Sequence, residues 1–409
     1  MITNNKYKYY FYSSLLVLTF ILLFKATYTL SISYKEALNV FVNNSVLSLI
    51  TNISIYILGQ NDLALRLPFI LFYTFSIIIM YKITENYFRY EKDRYISIIV
   101  FMLLPGVLSA SLLVNSAIIV TFFTLLYLYY YHKYNKHSYL LLLLFLFIDN
   151  SFAILYLALF FYSLKNKDTK LLYVSLILFT LSMYIYGFST GGKPRGFLVD
   201  TFGIYATIFS PFLFLYFIYT MYRSWIKNDT TLIWYISITA LLLSMLFSFR
   251  QRIYIEDFAP FVVISLPYML KTFFHAYRVR LKEFRTKYNI LAFLVIFMLS
   301  LNVILTFVNK PLYLILPNPN KHFVYQYHFI KELVAELNKR NIHSVVTDDY
   351  ELTLRLKFYH IERGEDYFLT LKNYDYPSER ISIKYYGKEV FVAYLIKIKW
   401  KNHFLYWKS

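Results

Sequence analysis

The chain contains no cysteine, and only 16% of its 409 residues are charged. The lack of cysteine excludes a disulfide framework and any metal site with thiolate ligands. The chain also has 58% hydrophobic residues and a mean hydropathy of +0.48. Together with the few charges, these values lie outside the range of ordinary soluble domains. None of the eight histidines has the spacing of metal ligands, so we expect no essential metal and no other cofactor. The composition therefore predicts an integral membrane protein.

Acidic residues are also scarce: 42 Lys and Arg outweigh 23 Asp and Glu, which gives a formal net charge of +19. In a soluble protein this balance would favour nucleic acid as a partner. Here the basic residues lie largely in connections between apolar runs, which is typical of loops beside anionic lipid. We therefore expect membrane lipids, and no nucleic acid, as partners.

The apolar runs predict about eleven transmembrane helices. Their approximate ranges are 11–30, 67–83, 95–113, 116–131, 138–149, 151–164, 171–188, 204–222, 231–249, 258–274 and 289–308. The two runs around Asp149 and Asn150 would each reach only ~20 Å, too short for a bilayer core. A hairpin with its polar tip in a cavity explains them. The alternative, one long span, would move every later loop to the other side of the membrane.

Lys and Arg are concentrated in alternate connections between these runs. The positive-inside rule makes those connections and the amino terminus cytoplasmic. The loop at 31–66 and, with an odd number of spans, the C-terminal segment are then external. An excess of Tyr, Phe, Ile, Lys and Asn is typical of AT-rich bacterial genomes. We therefore predict a multi-pass protein of the bacterial inner (cytoplasmic) membrane, with both segments on the periplasmic face.

The first outer loop places a carboxylate and a guanidinium near one membrane face. Glu36 follows the first apolar run, and Arg66 opens the second. Between them lie two apolar patches, Ala37–Phe41 and Val46–Leu58, and the polar turn Gly59–Asp62. Each patch is too short to span a bilayer, so we expect both to lie along the membrane surface. A lipid-phosphate substrate would need such a pair of groups.

The C-terminal residues predict a second domain. Residues 311–322 have the prolines of an extended linker. Helical spacing follows over Phe329–Leu337, then a β-type run at His343–Thr347, a helix that Asp348 could cap, and a strand candidate at Val390–Ile398. We predict a transmembrane domain at 1–310 and a small periplasmic α/β domain at 311–409.

This order of parts resembles a known class of enzymes. An acidic residue after the first span, a surface segment, and LGQNDLALRLP leading into the second span are similar to polytopic glycosyltransferases of the GT-C class. The likeness is to the bacterial branch related to protein O-mannosyltransferases and to the lipid A aminoarabinose transferase. The stretch LRLKFYHIERGED resembles the outer domain of the same enzymes. The chain lacks an Asp-x-Asp pair and a Trp-Trp-Asp signature, which argues against the metal-dependent oligosaccharyltransferase branch.

The resemblance implies a reaction and a catalytic residue. A sugar would move from a polyprenyl-phosphate donor to a glycan, lipid or protein acceptor, with an acidic residue of the first loop as the base. That loop usually begins with Asp-Glu in the family, whereas this chain has Lys35-Glu36, so Glu36 is the candidate base. From the residues alone, Glu36 could instead cap or salt-bridge a surface helix.

Cations are the candidates for holding the donor phosphate, because guanidinium and ammonium groups bind phosphate oxygens. For Arg66 the alternative is a side chain that snorkels from the start of a span. Asp200, Glu256 and Asp257 are further outer carboxylates that could contact the acceptor or a cation. The candidate substrate-binding residues are Lys35, Arg66, Lys193, Arg195, Arg250 and Arg252.

Two other functions compete with the transferase. A transporter or flippase for lipid-linked glycans would have charged or broken helices in matching positions of two halves, and the sequence contains no internal repeat. A catalytically degenerate scaffold of the same fold is the other alternative, because Lys35 stands where the first carboxylate is expected.

Overall fold

A computed structural model of the chain describes residues 3–187, 196–374 and 377–398. Most of the described chain is helical, with a small sheet in its C-terminal part. The helices are α1 Thr3–Thr29, α2 Tyr34–Phe41, α3 Val46–Leu58, α4 Asp62–Ile83, α5 Glu91–Leu103, α6 Pro105–Leu112, α7 Ala117–Tyr134, α8 Tyr139–Phe145, α9 Phe152–Asn166, α10 Thr169–Tyr186, α11 Leu198–Phe209, α12 Pro211–Ile226, α13 Leu232–Ser248, α14 Ala259–Val263, α15 Leu266–Val279, α16 Thr286–Phe307, α17 Leu312–Ile315, α18 Ile330–Lys339 and α19 Tyr350–Phe358. The strands are β1 Val346–Thr347, β2 Tyr367–Thr370, β3 Glu379–Tyr385 and β4 Lys388–Lys397.

Several helices are long and apolar enough to cross a membrane. Among the described residues there are four, within Tyr12–Thr29, Asp62–Asn86, Thr169–Tyr186 and Lys282–Phe307. The number rises to seven if each bent pair of helices counts as one span; the pairs are α2 with α3, α5 with α6, and α11 with α12. These helices support a membrane protein, and the count of about eleven spans stays a prediction.

The chain reverses between α8 and α9, where the sequence predicts a hairpin. The hydroxyl of Tyr156 donates to the carbonyl of Leu142 at 2.8 Å. In one continuous helix these residues, 14 positions apart, would be separated by ~21 Å. Phe145 and Phe152, which flank the reversal, stack with ring centroids 4.5 Å apart. The reversal agrees with the predicted hairpin, whereas the cavity around its polar tip and the two separate spans stay predictions.

The chain divides into two compact units. The helical unit comprises the residues up to Leu23 together with Pro68–Phe307. The mixed unit comprises Phe24–Leu67 together with the residues from Val308 onward. The sequence analysis separates a C-terminal domain near residue 310 but does not predict that Phe24–Leu67 groups with it.

A four-stranded sheet with the order β1-β2-β4-β3 forms the base of the mixed unit. The β1–β2 pair is parallel, and the other two pairs are antiparallel. A two-residue loop, Tyr386 and Gly387, joins β3 to β4, and both residues have positive φ angles of 51° and 81°. Glycine adopts such angles without steric cost, as two-residue hairpin loops require. An irregularity between Ile383 and Lys384 then shifts the pairing by one residue, so that Ile381 is buried opposite Ala393.

The α/β elements of the mixed unit lie largely where the sequence predicts them. Helix α18 buries Ile330, Leu333, Val334 and Leu337, the residues whose spacing indicates a helix. These side chains share one core with residues of α19 and the sheet. Strand β1 occupies the last two residues of the run predicted at His343–Thr347, and β4 differs from its predicted run by two residues at its start and one at its end. The sequence analysis does not predict β2 and β3. Packing one apolar helical face on a sheet is what this periodicity requires.

Two local predictions are wrong. The cap of α19 is Asp349, whose carboxylate accepts a hydrogen bond from the amide of Glu351 at 2.9 Å; Asp348 instead accepts from the hydroxyl of Thr370 on β2 at 3.1 Å. The segment after residue 310 is not simply extended, because α17 forms a helical turn there. This turn places the ring of Tyr313 in the domain core, and burial of that aromatic surface favours the turn.

Candidate functional site

Glu36 lies in the first turn of α2 and forms a capping box with Ser33. The hydroxyl of Ser33 accepts from the amide of Glu36 at 3.3 Å, and Oε2 of Glu36 accepts from the amide of Ser33 at 2.9 Å. This exchange satisfies two amides that the start of a helix leaves without partners. Glu36 is buried, with 1% of its surface exposed. The capping interpretation of Glu36 is therefore confirmed, and it coexists with the ion pair described next.

Arg66 is fully buried and pairs with Glu36. Its Nη2 lies 3.0 Å from Oε2 of Glu36 and donates at 2.9 Å to the carbonyl of Ser31. Its Nη1 donates to the carbonyls of Thr27 and Leu30, at the end of α1. A snorkelling arginine would expose its guanidinium, so that alternative is wrong. Both terminal nitrogens bind protein oxygens, and a phosphate would have to displace some of them.

The C-terminal half of the mixed unit binds the same short segment. The amide of Ile32 donates to the hydroxyl of Tyr359 at 3.0 Å, and its carbonyl accepts from Nε of Arg355 at 3.0 Å. One residue earlier, the amide of Ser31 donates to the carbonyl of Tyr327 at 2.8 Å. Residues some three hundred positions apart in the chain therefore fix the backbone that precedes Glu36.

Asp62 is the more accessible carboxylate. Its Oδ1 accepts from the hydroxyl of Tyr359 at 2.7 Å, and its Oδ2 lies 2.8 Å from Nζ of Lys331. Nη1 of Arg66, one helical turn away, is 3.6 Å from Oδ1. The side chains of Asp62 and Lys331 expose 12% and 26% of their surface. Burial lowers the pKa of Lys331, although the adjacent carboxylate of Asp62 opposes the shift.

These groups form what we call the polar cluster: Glu36, Asp62, Arg66, Lys331, Arg355 and Tyr359. Three cations meet two carboxylates in it, a formal excess of one positive charge. Arg355 donates to the carbonyls of Ile32, Gln326 and His328, and to no carboxylate of the described residues. Burial lowers the pKa of Arg355 to about 10, so it remains charged at neutral pH. Electrostatically, the cluster favours an added anion.

The stretch LGQNDLALRLP builds one wall of the cluster. Oδ1 of Asn61 accepts from the amide of Ala64 at 2.8 Å and caps α4. Nε2 of Gln60 donates to the carbonyl of Phe358 at 2.7 Å, at the end of α19. Asp62 and Arg66 then lie on one face of the first turns of α4, because they are four residues apart. Each polar residue of the stretch has a structural partner.

Sequence reasoning finds Glu36 and Arg66 but misses the other members of the cluster. Arg355 and Tyr359 lie within LRLKFYHIERGED, the stretch that resembles the outer domain of the family. That resemblance could have singled them out as candidate site residues. The sequence analysis assigns Asp62 only to a polar turn. Lys331 lies on the polar side of α18 and has no local pattern that separates it from a solvated lysine.

The other predicted substrate-binding residues lie elsewhere or outside the described residues. Lys35 is exposed on α2, and adjacent helical residues do not share a face with each other. Arg250 and Arg252 are exposed in the helical unit, between α13 and the 3-10 turn Ile255–Asp257. Lys193 and Arg195 lie outside the described residues. Of the predicted site residues, the structure brings Glu36 and Arg66 together.

A second pair of carboxylates meets in the helical unit, at the turn between α8 and α9. The hydroxyl of Ser151 lies within hydrogen-bonding distance of Asp149 and donates to Oδ1 of Asp257 at 3.3 Å. Burial, followed by the charge of Asp149, raises the pKa of Asp257 to about 7. Asp200 and Glu256, the other predicted outer carboxylates, are exposed. The hairpin prediction puts both Asp149 and Asp257 on the outer side, and the structure places them together.

The described residues contain no group of three or more His, Asp or Glu side chains arranged to hold a metal ion. No protein-family model matches the chain, and no curated protein matches it. The family resemblance therefore rests on the residues around Glu36 and Arg66 and on the stretch that contains Arg355.

Proposed function

We propose that this chain is a membrane-embedded glycosyltransferase of the bacterial inner membrane. It would move a hexose or pentose from a polyprenyl-phosphate donor to a glycan, lipid or protein acceptor on the periplasmic face. The observation that carries the proposal is the polar cluster, in which Glu36 pairs with Arg66, Asp62 pairs with Lys331, and Arg355 adds an excess of one positive charge. Base and phosphate-binding cations are what this transfer requires.

The reaction is a displacement at the anomeric carbon. The acceptor hydroxyl or amine loses its proton to a carboxylate as its oxygen or nitrogen bonds to the sugar, and the carrier leaves as a polyprenyl phosphate. Negative charge develops on the leaving phosphate, so cations held in place beforehand stabilise the transition state. Attack from the face opposite the phosphate inverts the anomeric configuration.

The cluster supports different roles for its members. The resemblance assigns the base to Glu36, which Arg66 contacts at 3.0 Å. Lys331 is the most exposed of the three cations and is the one positioned to meet a phosphate. Asp62 exposes more surface than Glu36, which makes it the rival base. With either base, the carboxylate would deprotonate the acceptor and Lys331 would bind the phosphate of the donor.

A transfer assay with paired variants separates the two carboxylates. Full-length protein in vesicles is given a panel of radiolabelled polyprenyl-phosphate hexoses and pentoses with periplasmic membrane extract as acceptor. We expect Glu36→Gln to lose transfer and Glu283→Gln, a change to an exposed carboxylate of the helical unit, to retain it. Loss in Asp62→Asn with retention in Glu36→Gln would move the base to Asp62. Full activity in both variants would remove the cluster from the mechanism.

A catalytically inactive scaffold is the second candidate, and one observation favours it. Oε2 of Glu36 is engaged by Ser33 and Arg66, and the residue is buried, which is the environment of a structural carboxylate. A scaffold predicts no transfer by the wild-type protein with any donor of the panel. It also predicts that Glu36→Gln lowers the thermal midpoint and changes nothing else. The enzyme proposal predicts measurable transfer by the wild type.

A further inference from the structure

Helix α3 has its polarity reversed relative to a helix on a water-exposed surface. The residues that it buries are polar: Ser48, Thr51 and Ser54. Its apolar side chains point outward, with between 52% and 91% of their surface exposed; they are Leu49, Ile53, Tyr56 and Ile57. We call these four residues the apolar stripe. In water, an amphipathic helix places the apolar face against the protein instead.

The polar face of α3 has specific partners within the mixed unit. Nδ2 of Asn39 on α2 donates to the hydroxyl of Thr51 at 3.0 Å. The hydroxyl of Ser54 donates to the carbonyl of Ala64, in the first turn of α4, at 2.6 Å. Helix α3 therefore binds both elements that carry the Glu36–Arg66 pair. The reversed orientation is fixed by buried hydrogen bonds, and such bonds are costly to leave unmade.

Helices α2 and α3 are too short to cross a bilayer. At 1.5 Å per residue α3 is ~20 Å long and α2 ~12 Å, against a bilayer core of ~30 Å. The two helices are bent by 83°. At nearly a right angle, their ends are only ~23 Å apart. The pair can lie in one leaflet but cannot cross both.

Charge indicates what covers the stripe. Residues 37–61 contain no Asp, Glu, Lys, Arg or His. A surface that faced water or a charged partner would carry such groups, whereas lipid chains exclude them. Exposed apolar side chains of the same kind line the candidate span α16, for example Phe293 at 67% exposure.

Helix α2 differs from α3 in this respect. It buries Glu36, Ala37 and Asn39 and packs against α19. Nζ of Lys357 lies 4.6 Å from the ring centroid of Phe41, so a charged residue covers the apolar end of α2. The sequence predicts that both patches lie along the membrane surface. In the structure, α2 is covered by protein, and only α3 has an open apolar face.

We propose that the apolar stripe of α3 inserts among lipid acyl chains of one leaflet. The acyl chains are its binding partner, and α3 links that contact to the polar cluster through Asn39 and Ala64. The insertion sets the depth of the Glu36–Arg66 pair relative to the bilayer. This goes beyond the proposed transferase activity, since a transporter or scaffold would need the same contact.

The lack of native cysteine makes a direct test simple. Single cysteines replace Ile53 and Ile57, and the full-length protein carries an environment-sensitive fluorophore in vesicles of 3:1 phosphatidylcholine and phosphatidylglycerol. Phe293→Cys serves as the lipid-exposed reference, and Glu365→Cys, exposed in the mixed unit, as the water-exposed reference. Quenching is measured with lipids brominated in their acyl chains and with aqueous iodide.

We expect labels at Ile53 and Ile57 to be quenched by the brominated lipids, as at Phe293, and at least fivefold less by iodide than the label at Glu365. Iodide quenching equal to that at Glu365, with none by brominated lipid, would overturn the proposal. Photolabelling of the unmodified chain with an acyl-chain diazirine lipid covers the case in which a variant misfolds. Labelled peptides must then include Leu49–Leu58, and their absence, with α16 labelled, contradicts the contact.

Discussion

Nη2 of Arg66 and Oε2 of Glu36 are 3.0 Å apart, and neither side chain exposes more than 2% of its surface. Burying two charges is expensive, and their attraction compensates only when further hydrogen bonds satisfy both groups. Here the amide of Ser33 and the carbonyls of Thr27, Leu30 and Ser31 supply most of those bonds, whereas Nε of Arg66 lacks a partner among the described residues. The pair is therefore sensitive to the loss of either partner.

Removal of the guanidinium leaves Glu36 as an unpaired buried charge. We expect Arg66→Leu to lower the free energy of unfolding by about 3–5 kcal/mol, the usual cost of breaking a buried pair. Glu36→Gln combined with Arg66→Leu should cost less than the sum of the two single changes, because no lone charge remains. Thermal unfolding of the four proteins in detergent measures this coupling. Strict additivity would show that the two side chains do not stabilise each other.

Substitution of Asp349, the N-cap of α19, should have a smaller effect on stability that is confined to one helix. Asp349→Ala removes the acceptor for the amide of Glu351, and loss of an N-cap costs roughly 1 kcal/mol. Asparagine is an equally good cap, so Asp349→Asn should be neutral. Hydrogen exchange of the α19 peptide in the full-length protein reports the effect locally. Equal exchange rates in the two variants would mean that Asp349 does not cap the helix.

Acidification should destabilise the mixed unit through His328. Burial lowers the pKa of His328 to about 4, with Lys310 and His322 adding to the shift, whereas an unfolded histidine titrates near 6.5. The folded state thus resists protonation, and its stability is complete above pH ~6.5 and declines as the pH falls toward 4. Nδ1 of His328 is 2.9 Å from the hydroxyl of Tyr313, a contact that Asn could partly replace.

The measurement is the unfolding midpoint of the full-length protein between pH 7.5 and 4.5. We expect the wild type to lose stability across this range and His328→Asn to lose less of it. His322 also has a lowered pKa, caused mainly by burial, so some dependence should remain in the variant. A wild-type midpoint that is constant across the range would contradict the assignment.

The contact between Asp149, Ser151 and Asp257 makes a prediction about topology. Because Ser151 bridges the two carboxylates, the turn after α8 and the connection after α13 must be on the same side of the membrane. Asn150→Cys and Glu256→Cys should both react with an impermeant maleimide on intact cells, whereas Lys165→Cys and Lys282→Cys should require permeabilised cells. Reaction of Asn150→Cys and Glu256→Cys from opposite sides would exclude this arrangement of α8 and α9.

The sequence predicts local elements well and long-range groupings poorly. Helices α2 and α3 follow from two short apolar patches, because their ends have polar residues that cap them. The hydrogen bond between Ile32 and Tyr359 joins positions 327 residues apart, and no local pattern encodes it. The grouping of Phe24–Leu67 with the C-terminal residues could not be predicted for that reason.

Burial of charge is the other property that the sequence did not specify. At the start of a span, Arg66 fits a snorkelling side chain as well as a buried one, and only the carbonyls of α1 decide between them. Asp348 and Asp349 are equivalent as caps in sequence, and the contact of Asp348 with Thr370 distinguishes them. In both cases a partner from a distant segment decides the role of the residue.

Transfer of sugar by the Glu36→Gln protein tests the central claim most directly. Wild-type and variant proteins, purified and inserted in vesicles at equal amounts, are compared with one active polyprenyl-phosphate sugar under single-turnover conditions. Loss of a general base usually lowers the rate by about 10²- to 10⁴-fold, and we expect a decrease in that range with the fold retained. A Glu36→Gln protein that transfers sugar at the wild-type rate would contradict the claim that this carboxylate is the base.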